Sequence, residues 1–600
     1  MVESVLLHDE KSAIQALDGF LRGLKPPAQK ITTQHLAPYR NRKPLAGWRL
    51  ELQTEEILFP LILLAKEGYP YNLPELYLEG KNRCLEWPHV ETDNRLCVVP
   101  THATFNPGDP AGVAEYILSE AAQLLPALAA GQLDNDFINE FQSYWSLATG
   151  DQPHRITSIV SPDGPSRTIC CWSGKISSLA ADTPEQGAEW LSRFRNDDIS
   201  PDSFKPGLFL WLDQPLTPDR YPRTSADIYR LAHEVNAHKE LERLILDLPS
   251  SILVLIGFYT DSGPGFGAIR IRPSPQSATT NRGQRQSIEK GFRPGHTPER
   301  ILLSRALGTA MTVKMLEVIR ADKQWIHTRG GTELPVDNKR VGIIGCGSLG
   351  ASIAILLAQA GYCLTLIDPD TLNWENVGRH ALGGPDFIGN NKAKALAQRI
   401  QQHLPHLNIE AHAKNWHEVW AKSPDTLKEC NILISTTGDW LAESALNKLS
   451  RTLSEFPDLI FGWSEPHAVA GHVLIIREMG GCLSCGMTAD GLFLNPAVEW
   501  PEDDDSLMKQ VPACGAFYQP FGPVDLSQIH SLIASATMDL LQERIKTSEH
   551  RIWFGDETRI KELGGEWADS WLQTESNPSS GNREVRKPWQ ISSTCPLCRK

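Results

Sequence analysis

The stretch VGIIGCGSLG, residues 341–350, constrains the chain more than any other part of it. It sets Gly345, Gly347 and Gly350 in GxGxxG spacing, directly after an apolar run that reads as a strand and before a run that reads as a helix. The first glycine permits the tight turn, and the second lets a phosphate approach the backbone. The helix that follows presents unpaired N–H groups and the positive end of its dipole. From Lys339 onward the order is strand RVGIIG, helix SIAILLAQAG, strand CLTLID, a loop, helix KAKALAQRIQQHL and strand NILISTTGD. That alternation implies a mostly parallel sheet of Rossmann type. Asp368 ends the second strand, where a carboxylate accepts hydrogen bonds from ribose hydroxyls.

The loop DTLNWENVGRHALGGPDFIGNNKAKA decides which nucleotide is expected. It supplies Asn376, Arg379 and Lys392, and the third strand runs out into Asp439. Two cations suit a triphosphate, and a carboxylate at a strand end suits its Mg²⁺. Hydride transfer needs none of these together, so the expectation is ATP.

Two further patterns concern sulfur. CLSC (Cys482, Cys485) and CPLC (Cys595, Cys598) are two C-x-x-C pairs, and four thiolates make a closed tetrahedral zinc site. The long interval between the pairs suits a site that clips a chain terminus to its domain. A redox C-x-x-C is the alternative, although neither pair opens a helix in a thioredoxin-like setting. Cys514 stands in QVPACGAFYQPFGP, before the helical run SQIHSLIASATMDLLQERI. A thiol beside a helix N-terminus is a better nucleophile, and a small core residue is the other reading.

The N-terminal part alternates short β-like runs, GWRLELQ, ILFPLILLA and ELYLEG, which predict an antiparallel meander. WPHVETDNRLCVVP follows, with Cys97, and then a helix, AGVAEYILSEAAQLLPALAAG. Between the two ends, LFLWL and SILVLIGFY predict strands, SADIYRLAHEVNAHKELERLILDL a helix, 273–299 a long flexible loop, and RILLSRALGTAMTVKMLEVIRAD a helix-rich piece. This middle part holds no motif that carries chemistry. Three domains are therefore expected: an α+β unit at 1–150, an α/β unit at 155–330 and the nucleotide unit at 335–600.

A net charge of −14 argues against nucleic acid or an anionic membrane as the main partner. No apolar run approaches the roughly 18 to 20 residues of a membrane span, and the start has no basic, signal-like region, so a cytoplasmic protein is expected.

From about residue 335 to 600 the chain resembles the ThiF/MoeB and ubiquitin-activating adenylation domains, through GCGSLG, LIDPD, WENVGRH, NNKAKA and STTGDW. The resemblance implies Arg379 and Lys392 at the triphosphate, Asp368 at the ribose, Asp439 at the magnesium, a zinc on the two cysteine pairs and Cys514 as acyl acceptor. It also implies a homodimer, because such domains borrow an arginine from the second subunit, here Arg320 or Arg329. His380 departs from the pattern, standing where the family has glutamine.

The N-terminal part resembles the ubiquitin-conjugating fold, with Tyr69-Pro70, Leu73-Pro74 and Pro88 in place and Cys97 at the nucleophile. His89 replaces the oxyanion-binding asparagine, and it can donate a hydrogen bond, act as acid or base, or be merely structural. Asn94 replaces a glycine, and asparagine is the residue that best tolerates a left-handed backbone after glycine. Cys97 as a buried structural cysteine is the other reading.

The whole layout resembles the fused activating and conjugating proteins of bacterial anti-phage CBASS operons. That implies adenylation of a protein C-terminus, in that family a cGAS-like nucleotidyltransferase. The acyl group then passes from Cys514 to Cys97 and on to an amine, typically a lysine. A ThiF-like sulfur-carrier activating enzyme and a non-catalytic nucleotide-binding scaffold are the alternatives.

Overall fold

The computed structural model describes residues 2–54, 57–100, 103–150, 155–175, 177–247, 251–271, 298–309, 311–328, 339–501, 507–510, 517–573, 577–578 and 581–598. The chain forms two compact units, 1–187 with 202–320 and 188–201 with 321–600.

In the first unit, Gln29–Lys30, Pro44–Thr54, Ile57–Lys66 and Glu75–Leu78 pair antiparallel in chain order, the meander expected from their alternation. Period-two alternation gives the sheet two faces. Leu61, Leu63 and Ala65 are buried in a core shared with the helices Val2–Arg22 and Pro110–Ala129, while Ile62 and Leu64 form a smaller cluster with Tyr77. Asp109 starts the second helix by accepting from the Gly112 N–H, with proline at the first position.

The segment carrying Cys97 runs back along Glu75–Leu78, with the Leu96 N–H donating to Leu76 at 2.8 Å and the Leu78 N–H to Asn94 at 3.0 Å. Its turn closes on Asn94 at φ +64°, the left-handed backbone expected there. The asparagine side chain adds what glycine cannot: Oδ1 accepts from the Arg83 N–H at 2.9 Å and Nδ2 donates to the Lys81 carbonyl at 3.2 Å.

An eight-stranded mixed sheet follows, in the order Lys314–Leu316, Gly263–Ile271, Ile252–Thr260, Lys205–Trp211, Arg167–Ser173, Ser177–Ala181, Arg155–Ser158 and Val318–Arg320. The strands read from LFLWL and SILVLIGFY pair parallel within it. Two expectations are corrected. The single helix over 225–248 is two, Ser225–Glu234 and His238–Asp247, because Asn236 takes φ +56° between them. Among the described residues the helix-rich piece is helical only over Glu299–Ala306; Lys314–Leu316 and Val318–Arg320 are strands on opposite edges of the sheet, where Met315, Leu316 and Val318 are buried. The loop expected at 273–299 lies outside the described residues up to residue 297.

The helix Phe141–Thr149 packs on this sheet. A Cβ on Gly267 would stand 2.6 Å from the Trp145 ring and one on Gly265 3.0 Å from Phe141, so both aromatics lie directly on bare strand. The Trp145 indole N–H donates to the Leu316 carbonyl at 2.9 Å.

The second unit is a doubly wound sheet in the order Ile409–His412, Cys363–Ile367, Arg340–Ile344, Ile432–Ser435, Asp458–Ser464, Ala470–Ile476, Glu549–Phe554 and Arg583–Pro588. The first five are parallel and the rest antiparallel. The helices Ser348–Gln359, Lys392–His403 and Pro523–Leu541 share one core; Trp416–Lys422 and Trp440–Thr452 share another. Helices on both faces are what buries parallel strands. Among the described residues no helix is long and apolar enough to cross a membrane.

Candidate functional site

Gly345 follows the strand Arg340–Ile344 at φ +91°, where a Cβ would stand 3.1 Å from the Thr436 backbone. At Gly350 a Cβ would lie 1.9 Å from the Gly345 carbonyl oxygen, so the helix Ser348–Gln359 begins hard against the turn. Nothing comes within 4 Å of a Cβ built on Gly347. That glycine borders a cavity of about 250 Å³, together with Ser348, Asn376, Arg379, Lys392 and Thr437. The helix N-terminus, two cations and a hydroxyl thus meet at the carboxyl ends of parallel strands, where open α/β sheets bind ligands.

Asp368 and His380 brace this turn. The carboxylate takes the Cys346 N–H on Oδ2 at 2.6 Å and the Asp370 N–H on Oδ1 at 2.7 Å, and burial raises its pKa. Asp368 is not one of the residues bounding the cavity. His380 Nδ1 accepts from the Leu382 N–H at 3.0 Å, which leaves Nε2 to donate to the Cys346 carbonyl at 2.7 Å. Burial lowers its pKa and keeps the ring neutral. The neutral imidazole spends its one acceptor within its own loop and its one donor on the glycine turn, tying the Arg379 loop to that turn.

The Arg379 guanidinium lies 5.5 Å from the centre of the Phe521 ring. Lys392 opens its helix behind Asn391, whose side chain accepts from the Lys394 N–H and donates to the Asp368 and Asp370 carbonyls. The lysine is mostly buried and its Nζ stands 2.9 Å from the exposed Asp370 carboxylate. Asn376 Oδ1 accepts from the Asn373 N–H at 3.0 Å. Asp439 caps the helix Trp440–Thr452, with the Leu441 and Ala442 N–H groups both on Oδ1. It follows Thr436 and Thr437, which line the cavity themselves. Beneath them Glu443 accepts from the Ser435 and Thr437 hydroxyls, and burial pushes its carboxyl up to about 7. The sequence reading missed Ser348, Thr436, Thr437, Phe521 and Glu443, because isolated hydroxyl, ring and acid residues have no spacing to betray them.

Cys482, Cys485, Cys595 and Cys598 bring their sulfurs within 4.8 Å of one another. The Cys482–Cys595, Cys485–Cys598 and Cys482–Cys485 separations are 3.6, 3.7 and 4.0 Å. Thiolates about 2.3 Å from a tetrahedral zinc stand about 3.8 Å apart, so the set fits such an ion. Gathering both pairs into one cluster favours a metal over two redox pairs. The buried Asn447 donates toward Cys482 Sγ at 3.5 Å and accepts from the Leu483 N–H at 2.9 Å, which fixes the orientation of that sulfur. Cys514 and Arg329 lie outside the described residues. Arg320, the other candidate for the shared arginine, is buried in the first unit, donating to the Pro264 carbonyl at 2.9 Å and stacked over Phe266.

In that first unit Cys97 is exposed and lines a cleft of about 460 Å³ with His89, Glu91, Glu140 and Tyr144. Its N–H donates to the His89 carbonyl at 2.9 Å, and its sulfur lies 3.5 Å from Glu91 Oε1. The walls of the cleft desolvate the sulfur and, with Glu91 next in weight, push the thiol up to about 11, against the pull of Arg95. Glu91→Gln is expected to bring the thiol down, because Arg95 then faces it with only the weaker Glu140 opposed. Alkylation of Cys97 by iodoacetamide at pH 8, followed by peptide mass spectrometry, should run several-fold faster. An unchanged rate would show that burial alone sets the thiol.

His89 takes φ +59°, its N–H donates to the Tyr144 hydroxyl at 2.8 Å, and its Nε2 stands 2.9 Å from Asp136 Oδ2. Asp136, Glu140 and Tyr144 come from the helices Asp136–Asn139 and Phe141–Thr149 and the residue between them. No motif in the sequence marks them.

Residues 329–561 match the ThiF family, and residues 22–152 match the Prokaryotic E2 family B. The ATP-dependent ubiquitin transferase-like protein Cap2 of Escherichia coli (strain TW11681) is 27% identical over 267 residues, 42% of this chain and 44% of its own length. Its namesake in Pseudomonas aeruginosa (strain BWHPSA011 / Pa011) is 32% identical over 135 residues, 22% of this chain and 24% of its own. The chain thus spans less than half the length of these relatives. The crystal structure of E. coli MccB aligns with 44% of this chain and 66% of its own, at 16% identity and a TM-score of 0.31. By the two family matches, the chain joins a Prokaryotic E2 family B domain over residues 22–152 to a ThiF family domain over residues 329–561.

Proposed function

We propose that this protein is an ATP-dependent conjugating enzyme that activates the C-terminal carboxylate of a protein and joins it to an amine. One observation carries the reading: a single chain holds both a cavity lined by Gly347, Arg379 and Lys392, whose charge suits a triphosphate, and a surface thiol in an E2 family B domain.

The carboxylate oxygen attacks the α-phosphorus of ATP and pyrophosphate leaves. Arg379 and Lys392 neutralise the charge on the phosphates, the Ser348 helix N-terminus adds its N–H groups, and Asn376 closes the wall of the cavity. Asp368 steadies the turn and offers its remaining lone pairs to the ribose. Asp439 is the ligand for Mg²⁺, which supplies charge neutralisation at the phosphates. The Cys514 thiol attacks the resulting acyl-adenylate, AMP leaves and a thioester forms; Cys97 then receives the acyl group by thiol exchange, and the ε-amine of a lysine takes it as an isopeptide, freeing the Cys97 thiol. Two thiol exchanges divide one difficult amide synthesis into easier steps.

Zinc on the four cysteines is structural, because no coordination position is left for substrate. The substrate in this reading is a cGAS-like nucleotidyltransferase, as the resemblance of the layout to the fused activating and conjugating proteins of anti-phage operons implies, and the ThiF domain works as a homodimer. The E2 family B domain has no place in a sulfur-carrier activating enzyme, which disfavours that alternative.

The test mixes the protein with MgATP and the nucleotidyltransferase and follows wild type, Cys97→Ala and Cys514→Ala on non-reducing gels. A thiol-sensitive adduct on Cys97→Ala but not on Cys514→Ala is expected. Conjugation that survives in Cys97→Ala would end the relay.

A further inference from the structure

We infer that His89, held by Asp136 and Tyr144, is the proton acceptor for the amine that discharges Cys97, an imidazole base acting where the resembled fold has an amide. The inference rests on the reading of Cys97 as a thioester carrier and says how that carrier gives up its acyl group.

The geometry has three parts. His89 Nε2 stands 2.9 Å from Asp136 Oδ2, and a carboxylate can only accept, so the neutral ring carries its proton on Nε2 and leaves Nδ1 as the base. The main chain of His89 is fixed on both sides, its N–H on the Tyr144 hydroxyl at 2.8 Å and its carbonyl taking the Cys97 N–H at 2.9 Å. Base and sulfur therefore hang from one short, hydrogen-bonded stretch of backbone. Thirdly, ring and thiol border the same cleft, whose other charged members are carboxylates: Glu91 beside the sulfur and Glu140 opposite, with Asp136 behind the ring and Arg95 paired to Glu91. An alkylammonium is the cation such a cleft attracts; it gives one proton to solvent to become the amine, and a second must leave as the amine attacks.

In the step, the amine nitrogen forms a bond to the thioester carbonyl carbon and one of its protons passes to His89 Nδ1. The carbon–sulfur bond breaks with its electron pair going to Cys97 Sγ. The imidazolium, stabilised by Asp136, returns that proton to the sulfur, so thioester and amine become amide and thiol with nothing else consumed. Return of the proton matters here because the surroundings that hold the free thiol protonated also make its thiolate a poor leaving group.

The experiment is a single-turnover chase of the full-length protein. Cys97 is loaded with MgATP and the nucleotidyltransferase, ATP is removed, and free L-lysine is added over a range of concentrations. Discharge is normalised to the fraction loaded. His89→Asn, which restores the residue of the resembled fold, should slow the limiting rate about a hundredfold. Asp136→Asn should slow it at least tenfold and Asp136→Glu should recover most of it, with the lysine concentration for half-maximal rate unchanged throughout. A merely structural role for Asp136 would not separate those two quantities. Native discharge by His89→Asn or by Asp136→Asn overturns this inference alone. No adduct on Cys97 of the native protein overturns the relay itself, and this inference with it.

Discussion

Lys392→Ala and Arg379→Ala are each expected to lower ATP–pyrophosphate exchange a hundred- to a thousandfold. Both side chains border the cavity beside Gly347; Arg379 stands on a loop that His380 ties to the glycine turn, and Lys392 opens a helix capped by Asn391. Preorganised cations aimed at phosphate oxygens act where water is largely excluded, and removing one such donor costs about two to three orders of magnitude. The double variant should be little worse than the weaker single one, because the two groups serve one charge. Lys392 exchanges Asp370 for phosphate on binding, so Asp370→Asn should change the exchange rate little; its carboxylate is exposed and the pair is weak. Radiolabelled pyrophosphate exchange in the presence of the protein substrate measures all four. Rates for either alanine variant within tenfold of native would mean that the triphosphate binds elsewhere.

Removal of the metal is the second large effect. Each native chain is expected to carry one equivalent of zinc, and Cys595→Ser or exhaustive chelation should lower the melting temperature by about 10 °C or more. The cluster joins the start of Leu483–Cys485 to the last described residues, and the Trp589 indole N–H donates to the Cys482 carbonyl at 2.9 Å beside it. The edge strand Arg583–Pro588 ends directly before that tryptophan. Without the ion, the four sulfurs take up protons and lose the bonds that gather them, and the anchor of the edge strand is lost. Structural zinc contributes several kcal/mol or more to folding, and a few degrees per kcal/mol follows for a unit of this size. Metal analysis and thermal unfolding read the two arms. A full equivalent on Cys595→Ser, or an unchanged melting temperature on chelation, would remove zinc from the fold.

How much was legible in the sequence differs between the two ends of the chain for a physical reason. The glycine turn was legible because each of its glycines answers a local demand: a positive φ at Gly345 and contact with the Gly345 carbonyl at Gly350. The cysteine pairs were legible because two ligands on one tight turn require the C-x-x-C interval. Asn94 was legible for the same kind of reason, its φ of +64° being a property of one residue. The run over 300–322 was misread as mostly helical because its apolar residues suit a helix as well as an edge strand, and the eight-stranded sheet decides between them.

The cleft around Cys97 shows the boundary most clearly. By itself the sequence determined the thiol, the histidine near it and the left-handed turn between them, since all three lie within a few residues and depend on local backbone. What faces that thiol was decided only by the tertiary structure. Glu140 and Tyr144 reach the cleft, and Asp136 the His89 ring, because Phe141 and Trp145, on the same stretch of chain, seat on the bare strand at Gly265 and Gly267, more than a hundred residues later. That placement is a long-range packing contact between a helix and a sheet, and no period or spacing along the chain encodes it.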